Sequence, residues 1–99
     1  MRRRIKNNLH ITVGGVDLTK ASNLEFYMRQ GQFFRQYIPI VLSENEILVT
    51  IPLKDATCLE LTKVSLQLAF TDENGEPLAT DPSIIPVDDF LKEAGYDPS

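Results

Sequence analysis

Cysteine, histidine and tryptophan are scarce in this sequence, and each scarcity excludes a kind of protein. Among 99 residues there are one cysteine, one histidine and no tryptophan. A single cysteine, Cys58, excludes an internal disulfide, and no Cys or His partner stands at zinc-ligand spacing. No apolar run approaches the roughly 20 residues of a membrane-spanning helix, and LHITVGGV is too interrupted for a signal-peptide core. We therefore expect synthesis in a reducing cytoplasm and no membrane contact.

Residues that could carry catalysis are also sparse. The single histidine, His10, lies on the polar side of a predicted strand, and no serine-centred motif accompanies it. Asp88 and Asp89 are adjacent, so their carboxylates diverge and are better suited to capping a helix than to glycoside hydrolysis. The acidic stretch 72–81 lacks the closing Glu of a calcium loop. We predict a protein that is not an enzyme, with no catalytic residue, cofactor or metal site.

Charge is distributed unevenly along the chain. The net charge is −4, and four of the 10 positive side chains lie in the opening MRRRIK. The remaining chain has six positive and 14 negative side chains, a net charge of −8. We therefore separate a basic N-terminal arm, residues 1–8, from a single domain, residues 9–95. An acidic domain repels phosphate, which argues against nucleic-acid binding by the folded part.

The segment 16–38 decides the class of fold. Leu24, Phe26 and Met28 alternate with polar residues, and this period of two predicts a strand rather than a helix. Gly31 offers the backbone freedom that a reversal needs, so we predict a hairpin that turns there. After the turn, the residues expected to face inward are Phe34, Ile38 and Ile40. Those expected to face outward are Phe33, Arg35 and Tyr37.

The same alternation recurs elsewhere and predicts an all-β fold. Further inner faces are Leu9, Ile11 and Val13, then Ile47, Val49 and Ile51, then Val64, Leu66, Leu68 and Phe70. Turn signals fall between them at 14–15, 43–45 and 72–75. Turns at this spacing indicate an antiparallel β-sandwich of about seven strands. The less regular segment 53–63 is interpreted as a short helical turn that crosses between sheets.

The last 25 residues are expected to contribute short edge strands and a helix. Three prolines, Pro77, Pro82 and Pro86, each remove a backbone donor and therefore limit strand length. Apolar residues expected to be buried here are Ile84, Ile85 and Val87. The sequence DDFLKEAG has a helix N-cap in Asp88 and a stop in Gly95, so a short C-terminal helix is predicted.

Two surface features are candidates for partner binding. The first is an outward aromatic and arginine patch on the hairpin, comprising Tyr27, Arg29, Phe33, Arg35 and Tyr37. These residue types are enriched at energetically important interface positions, although ordinary cross-strand pairing would also explain them. The second is the arm with Arg2, Arg3 and Arg4. It is either a solvated tail or a segment that docks on an acidic surface of another copy or a partner.

The order of these segments resembles small proteins of tailed phages and prophages of Gram-positive bacteria. The resemblance covers residues 9–91 and runs through VDLTKASNLEFYMRQG, ILVTIPLKDATCLE and VSLQLAFTDENGEPLATDPSIIPV. Its motif residues are Asp17, Leu18 and Thr19, then Leu53 and Thr57, then Asp72 and Gly75. The resemblance implies an immunoglobulin-like sandwich, similar to the N-terminal domain of upper baseplate proteins. It also implies a structural role in a virion, tail or baseplate.

Three functional hypotheses follow. The first is a non-enzymatic virion component, an accessory or connector subunit that forms homo-oligomers or binds other virion proteins. An adhesin is not expected, because no receptor-binding module follows the sandwich within the 99 residues. The second is a module that binds carbohydrate or the cell surface through the aromatic patch. An enzyme comes third, because acid, base and nucleophile candidates are so few.

Overall fold

A computed structural model describes residues 1–3 and 5–88 of the chain. Within these residues the elements follow in this order: β1 (Asn7–Thr12), a 3₁₀ turn (Leu18–Lys20), β2 (Ser22–Gln30), β3 (Phe33–Tyr37), β4 (Ile40–Ser43), β5 (Glu46–Ile51), α1 (Leu53–Thr57), β6 (Lys63–Thr71), β7 (Pro77–Ala79) and β8 (Ser83–Pro86). No helix in this part of the chain is long and apolar enough to cross a membrane.

The strands form two antiparallel sheets. The smaller sheet has the order β1-β5-β4. The larger has the order β3-β2-β6, and the far side of β6 pairs with β7 near one end and with β8 near the other. The prediction of an all-β, antiparallel fold is therefore confirmed. The predicted C-terminal helix lies in residues 88–95, and all of these except Asp88 are outside the described residues.

The hydrophobic core lies between the two sheets and uses the alternate residues that the sequence predicts. Its most deeply buried members include Phe26 and Met28 of β2, Ile47, Val49 and Ile51 of β5, and Val64, Leu66, Leu68 and Phe70 of β6. The inner face of β1 is less completely covered, since Leu9 and Ile11 are only partly buried. Burial of a large aliphatic side chain contributes about 1.5–3 kcal/mol, and β5 and β6 together supply seven of the buried hydrophobic residues.

The predicted crossing between sheets is also confirmed. After β5 leaves the smaller sheet, Pro52 precedes α1, where its missing N–H costs nothing. Ala56 of α1 and Leu59 beyond it are buried, and these contacts seal one end of the core before β6 begins. At the opposite end, Asp17 caps the 3₁₀ turn by accepting a hydrogen bond of 3.0 Å from the Thr19 N–H.

The β2–β3 hairpin is confirmed, but the predicted facing of β3 is wrong. The turn has two residues, Gly31 and Gln32, so that Gln30 lies opposite Phe33. Directly opposed residues of an antiparallel pair share a face, and even-numbered residues of β2 therefore share a face with odd-numbered residues of β3. The sequence prediction kept one parity for both strands. Phe34 is consequently exposed rather than buried. Ile38, which follows β3, and Ile40, which lies in β4 opposite Leu48, are also exposed, so these two burial predictions are wrong as well.

The segment after β7 forms a short strand, as its prolines predict. Of the three residues predicted to be buried there, one is exposed. Val87 is buried and Ile85 packs against the core, as expected. Ile84 is 67% exposed, because it lies opposite Ser65 on the outer face of the larger sheet. Adjacent strand residues point to opposite faces, so Ile84 and Ile85 could not both be buried in a two-layer fold.

Candidate functional site

The five hairpin residues predicted to form one patch lie on two faces of the larger sheet. Tyr27 and Arg29 face outward, opposite Gln36 and Phe34. The three candidates on β3 face the other way, beside the core: Phe33, Arg35 and Tyr37. The two-residue turn accounts for this division, because it exchanges the parities of the two strands. The prediction that these five residues belong to one hairpin is therefore confirmed, but the prediction that they share one outward face is wrong.

On the inner side, residues of β3 contact α1, the helix that crosses between the two sheets. Asp55 of α1 is buried, and its carboxylate accepts a 2.7 Å hydrogen bond from the Tyr37 hydroxyl. The Arg35 Nε lies 3.4 Å from the same carboxylate, and its guanidinium stacks 4.4 Å from the Phe33 ring centroid. Burial, together with the hydrogen bond to Asp55, raises the pKa of Tyr37 above its usual value. The contacts of Tyr37 and Arg35 with Asp55 therefore hold α1 to the sheet, and Arg35 remains partly exposed.

On the outer side, Tyr27, Arg29 and Phe34 form a compact group that we call the outer cluster. The Tyr27 and Phe34 rings stack with centroids 5.6 Å apart and planes inclined by 24°. The Arg29 guanidinium carbon lies 5.4 Å from the Phe34 centroid, within cation–π range. Phe34 was not predicted to belong to any surface site. Its inclusion follows from the position opposite Arg29, which only the correct turn length reveals.

The outer cluster is supported by neighbouring polar groups. The Tyr27 hydroxyl donates a hydrogen bond to the Glu25 carboxylate, and this bond raises the pKa of Tyr27. Beside the cluster lies a shallow concavity of about 380 Å³, lined also by Ser65, Gln67 and Pro82. The Gln67 amide donates to the Thr80 carbonyl at 2.8 Å, which fixes its orientation. Aromatic and arginine side chains held by such contacts lose little entropy when a partner binds.

The described part of the basic arm is folded onto the same chain. The N–H of Arg3 donates to the Asp88 carbonyl at 2.7 Å, and the Asp88 N–H donates to the Met1 carbonyl at 2.8 Å. The Asn7 side chain accepts from the Arg2 N–H at 2.9 Å and donates to the Arg2 carbonyl at 2.7 Å. Residues 1–3 are therefore not a frayed tail. Arg4 lies outside the described residues, and the predicted docking of the arm on a partner remains a prediction.

The smaller sheet has an apolar edge that the sequence interpretation missed. Ile38, Ile40 and Leu42 lie along or just before β4 and are 75%, 59% and 50% exposed. β4 is the last strand of its sheet and pairs only with β5 among the described strands. We call Ile38, Ile40 and Leu42 the β4 edge. The sequence does contain an indication of this apolar edge. The segment from Gln36 to Ser43 has no charged residue, and its apolar residues do not alternate strictly with polar ones.

The side chains considered above as candidates for catalysis or metal binding contact other groups of the same chain. His10 is exposed on β1, and its Nε2 lies 2.6 Å from a Glu46 carboxylate oxygen. Asp72 accepts from the N–H groups of Asn74 and Glu76, each at 2.9 Å, so its carboxylate holds the hairpin turn. Cys58 is a free, exposed thiol. Across residues 1–3 and 5–88, no cluster of three or more His, Cys, Asp or Glu side chains could bind a metal ion.

No family model and no curated protein matches the chain. Among solved structures, the fold is similar to that of murine CRIg, with a TM-score of 0.48 and 7% sequence identity over 91% of this chain and 89% of that chain. A similarity of this degree carries no argument about what this chain does.

Proposed function

We propose that the chain is a non-enzymatic structural component of a phage or prophage virion. In this role it is a connector or accessory subunit of the tail or baseplate and works through contacts with other virion proteins. The observation that carries the contact role is the outer cluster, an aromatic and arginine group on the outer face of the larger sheet in which Arg29 and Phe34 are exposed. The resemblance of residues 9–91 to phage structural proteins supplies the virion setting.

The strand order supports an immunoglobulin-like assignment within this proposal. Immunoglobulin domains place strands A, B, E and D in one sheet and G, F, C and C′ in the other. The order β1-β5-β4 corresponds to B-E-D, and β6-β2-β3 corresponds to F-C-C′, with β7 and β8 in the place of G. The chain crosses between the sheets at the same points. Such domains serve widely as rigid contact modules, which is the role proposed.

The absence of catalysis in this proposal agrees with how the polar residues are used. Asp55 holds α1 to β3, and Asp72 holds the β6–β7 turn. His10 is exposed on β1 and pairs with Glu46. General acid or base catalysis needs a group aimed at a space for substrate, whereas the carboxylates of Asp55 and Asp72 accept hydrogen bonds from within the chain.

Binding to defined virion proteins tests the contact role. Purified chain would be titrated against each purified tail and baseplate protein encoded beside it, with affinity followed by biolayer interferometry. Arg29→Ala and Phe34→Ala are expected to weaken the productive interaction by about tenfold or more, as for interface anchors. Leu61→Ala is the control, because Leu61 is 54% exposed outside the cluster. No binding by the unmodified chain, or equal weakening by the control, would contradict the role.

Carbohydrate binding is the second candidate, and the concavity beside Tyr27 and Phe34 favours it. Sugars stack on exposed aromatic rings and hydrogen-bond to neighbouring amides such as Gln67. In this cluster, however, the Phe34 ring already contacts Tyr27 and Arg29. A glycan array would decide between the candidates. Signal that disappears in Tyr27→Ala and Phe34→Ala but persists in Tyr37→Phe would support carbohydrate binding over protein binding.

A further inference from the structure

A line of directly opposed residues crosses the outer face of the larger sheet through the outer cluster. Arg29 of β2 lies opposite Phe34 of β3 on one side and opposite Ser65 of β6 on the other. Ser65 in turn lies opposite Ile84 of β8. Neighbouring strands are about 4.8 Å apart, so the two apolar ends of the line, Phe34 and Ile84, are separated by roughly 14 Å. Both ends are exposed, and a guanidinium and a small hydroxyl lie between them.

Arg29 is the charged member of this line, and within the described chain no acidic side chain pairs with it. The other arginine of the hairpin, Arg35, lies 3.4 Å from the buried Asp55 carboxylate. Glu25 shares the outer face with Arg29, but its carboxylate accepts a hydrogen bond from the Tyr27 hydroxyl. Across residues 1–3 and 5–88, no ion pair includes Arg29. Its guanidinium therefore retains the capacity to bind an anionic group of another molecule.

The guanidinium and its surroundings favour one kind of anion. A guanidinium has five N–H donors in a planar fork, and this fork matches the two oxygens of a carboxylate. The chain has a net charge of −4, so nucleic acids and long acidic runs are repelled. A single carboxylate between apolar groups complements the charge of Arg29 and the apolar surfaces of Phe34 and Ile84 without adding excess negative charge.

We propose that this outer face binds an extended segment of a partner protein in which one Asp or Glu stands between two apolar residues, each two positions away. In an extended chain these three side chains point to the same side, and the apolar two are about 13 Å apart, which matches the separation of Phe34 and Ile84. The carboxylate pairs with Arg29 beside Ser65, at the concavity of about 380 Å³. This inference rests on the proposed contact role and deepens it by naming the chemistry of the partner.

A matched pair of peptides tests the carboxylate directly. The ¹⁵N-labelled chain would be titrated with N-acetyl-LSESL-amide and with N-acetyl-LSQSL-amide, and the amide signals would be followed by NMR. The acidic peptide should shift signals around Arg29 and Ser65 and bind at least about tenfold more tightly. Arg29→Gln should abolish this preference. Lys63→Gln is the control and should keep it, because Lys63 is an exposed cation two residues before Ser65 on the same face of β6.

Three results of the peptide titration would overturn the inference. They are equal affinities for the two peptides, no shifts on the outer face with either peptide, and equal effects of Arg29→Gln and Lys63→Gln. Circular dichroism should show that both variants remain folded, so that a loss of preference reports on the contact itself.

Binding to the virion proteins separates this inference from the proposed function. Arg29→Glu should abolish the productive interaction, and lysine in place of one Asp or Glu of the partner should restore it. If Phe34→Ala weakens binding and Arg29→Gln does not, the inference is overturned and the contact role stands. If the acidic peptide binds as expected and no virion protein does, the carboxylate site stands and the virion role is contradicted.

Discussion

At the residue scale, the buried carboxylate of Asp55 joins α1 to β3 through two polar contacts. It lies 2.7 Å from the Tyr37 hydroxyl and 3.4 Å from the Arg35 Nε. Tyr37→Phe removes a hydrogen bond to a charged group and should lower the free energy of unfolding by about 1.5–3 kcal/mol. Tyr27→Phe is the matched control, since its hydroxyl bonds to Glu25 at the surface, and should cost less than about 1 kcal/mol. Urea denaturation followed by circular dichroism measures both.

The same tyrosine makes stability depend on pH in the alkaline range. Its pKa is raised in the folded chain, so the protonated hydroxyl is favoured by folding. The stabilisation is complete below the unfolded pKa of about 10 and is lost as the pH rises toward the folded pKa. Urea midpoints of the unmodified chain should therefore fall more steeply above about pH 10 than those of Tyr37→Phe. Parallel pH profiles for the two proteins would contradict the assigned contact.

At the element scale, the two-residue turn of the β2–β3 hairpin decides which residues reach the surface. Gly31 has a φ of 59°, in the left-handed region that side chains with a Cβ avoid. Gly31→Ala should destabilise the fold by about 1–2 kcal/mol. Gly14→Ala serves as the control, because Gly14 has no positive φ and an added Cβ would meet no atom within 4 Å. Equal free energies of unfolding for the two variants would argue against the turn described.

The hairpin also shows how far element prediction from sequence can go. Alternation of Leu24, Phe26 and Met28 is enough to predict β2 and its inner face. The facing of β3 depends on whether the turn contains an odd or an even number of residues, and one glycine does not determine that number. Because the turn length was assigned wrongly, Phe34 was predicted to face the core and Phe33 to face outward. The structure has the reverse. β5 and β6 avoided this error because long aliphatic alternation fixes their faces independently of a turn.

At the scale of the whole molecule, the protection of backbone amides from hydrogen exchange should follow the order of the strands in each sheet. β5 and β6 have partners on both sides, whereas β4 has one side unpaired among the described strands. Hydrogen exchange measured by mass spectrometry should be slowest in β5 and β6 and fast in β4 at low protein concentration. Exchange in β4 as slow as that in β5 and β6 would contradict the described strand order.

The two-sheet architecture could be predicted from sequence, but the candidate contact surfaces could not. Periodic aliphatic residues in β1, β5 and β6 and the turn signals between them specify the layers. The outer cluster and the β4 edge depend on register and on strand order, which bring Arg29 beside Phe34 and leave β4 at a sheet margin. No short sequence motif specifies these relations, because they arise from how the strands pair.

The most direct test of the central proposal is the content of purified particles. Particles released after prophage induction would be purified by density gradient, and this chain would be quantified by mass spectrometry against the tail and baseplate proteins. A structural subunit should be present at a constant ratio to those proteins in every gradient fraction that contains particles. A chain that is abundant in the lysate but absent from the particles would contradict the proposed virion role.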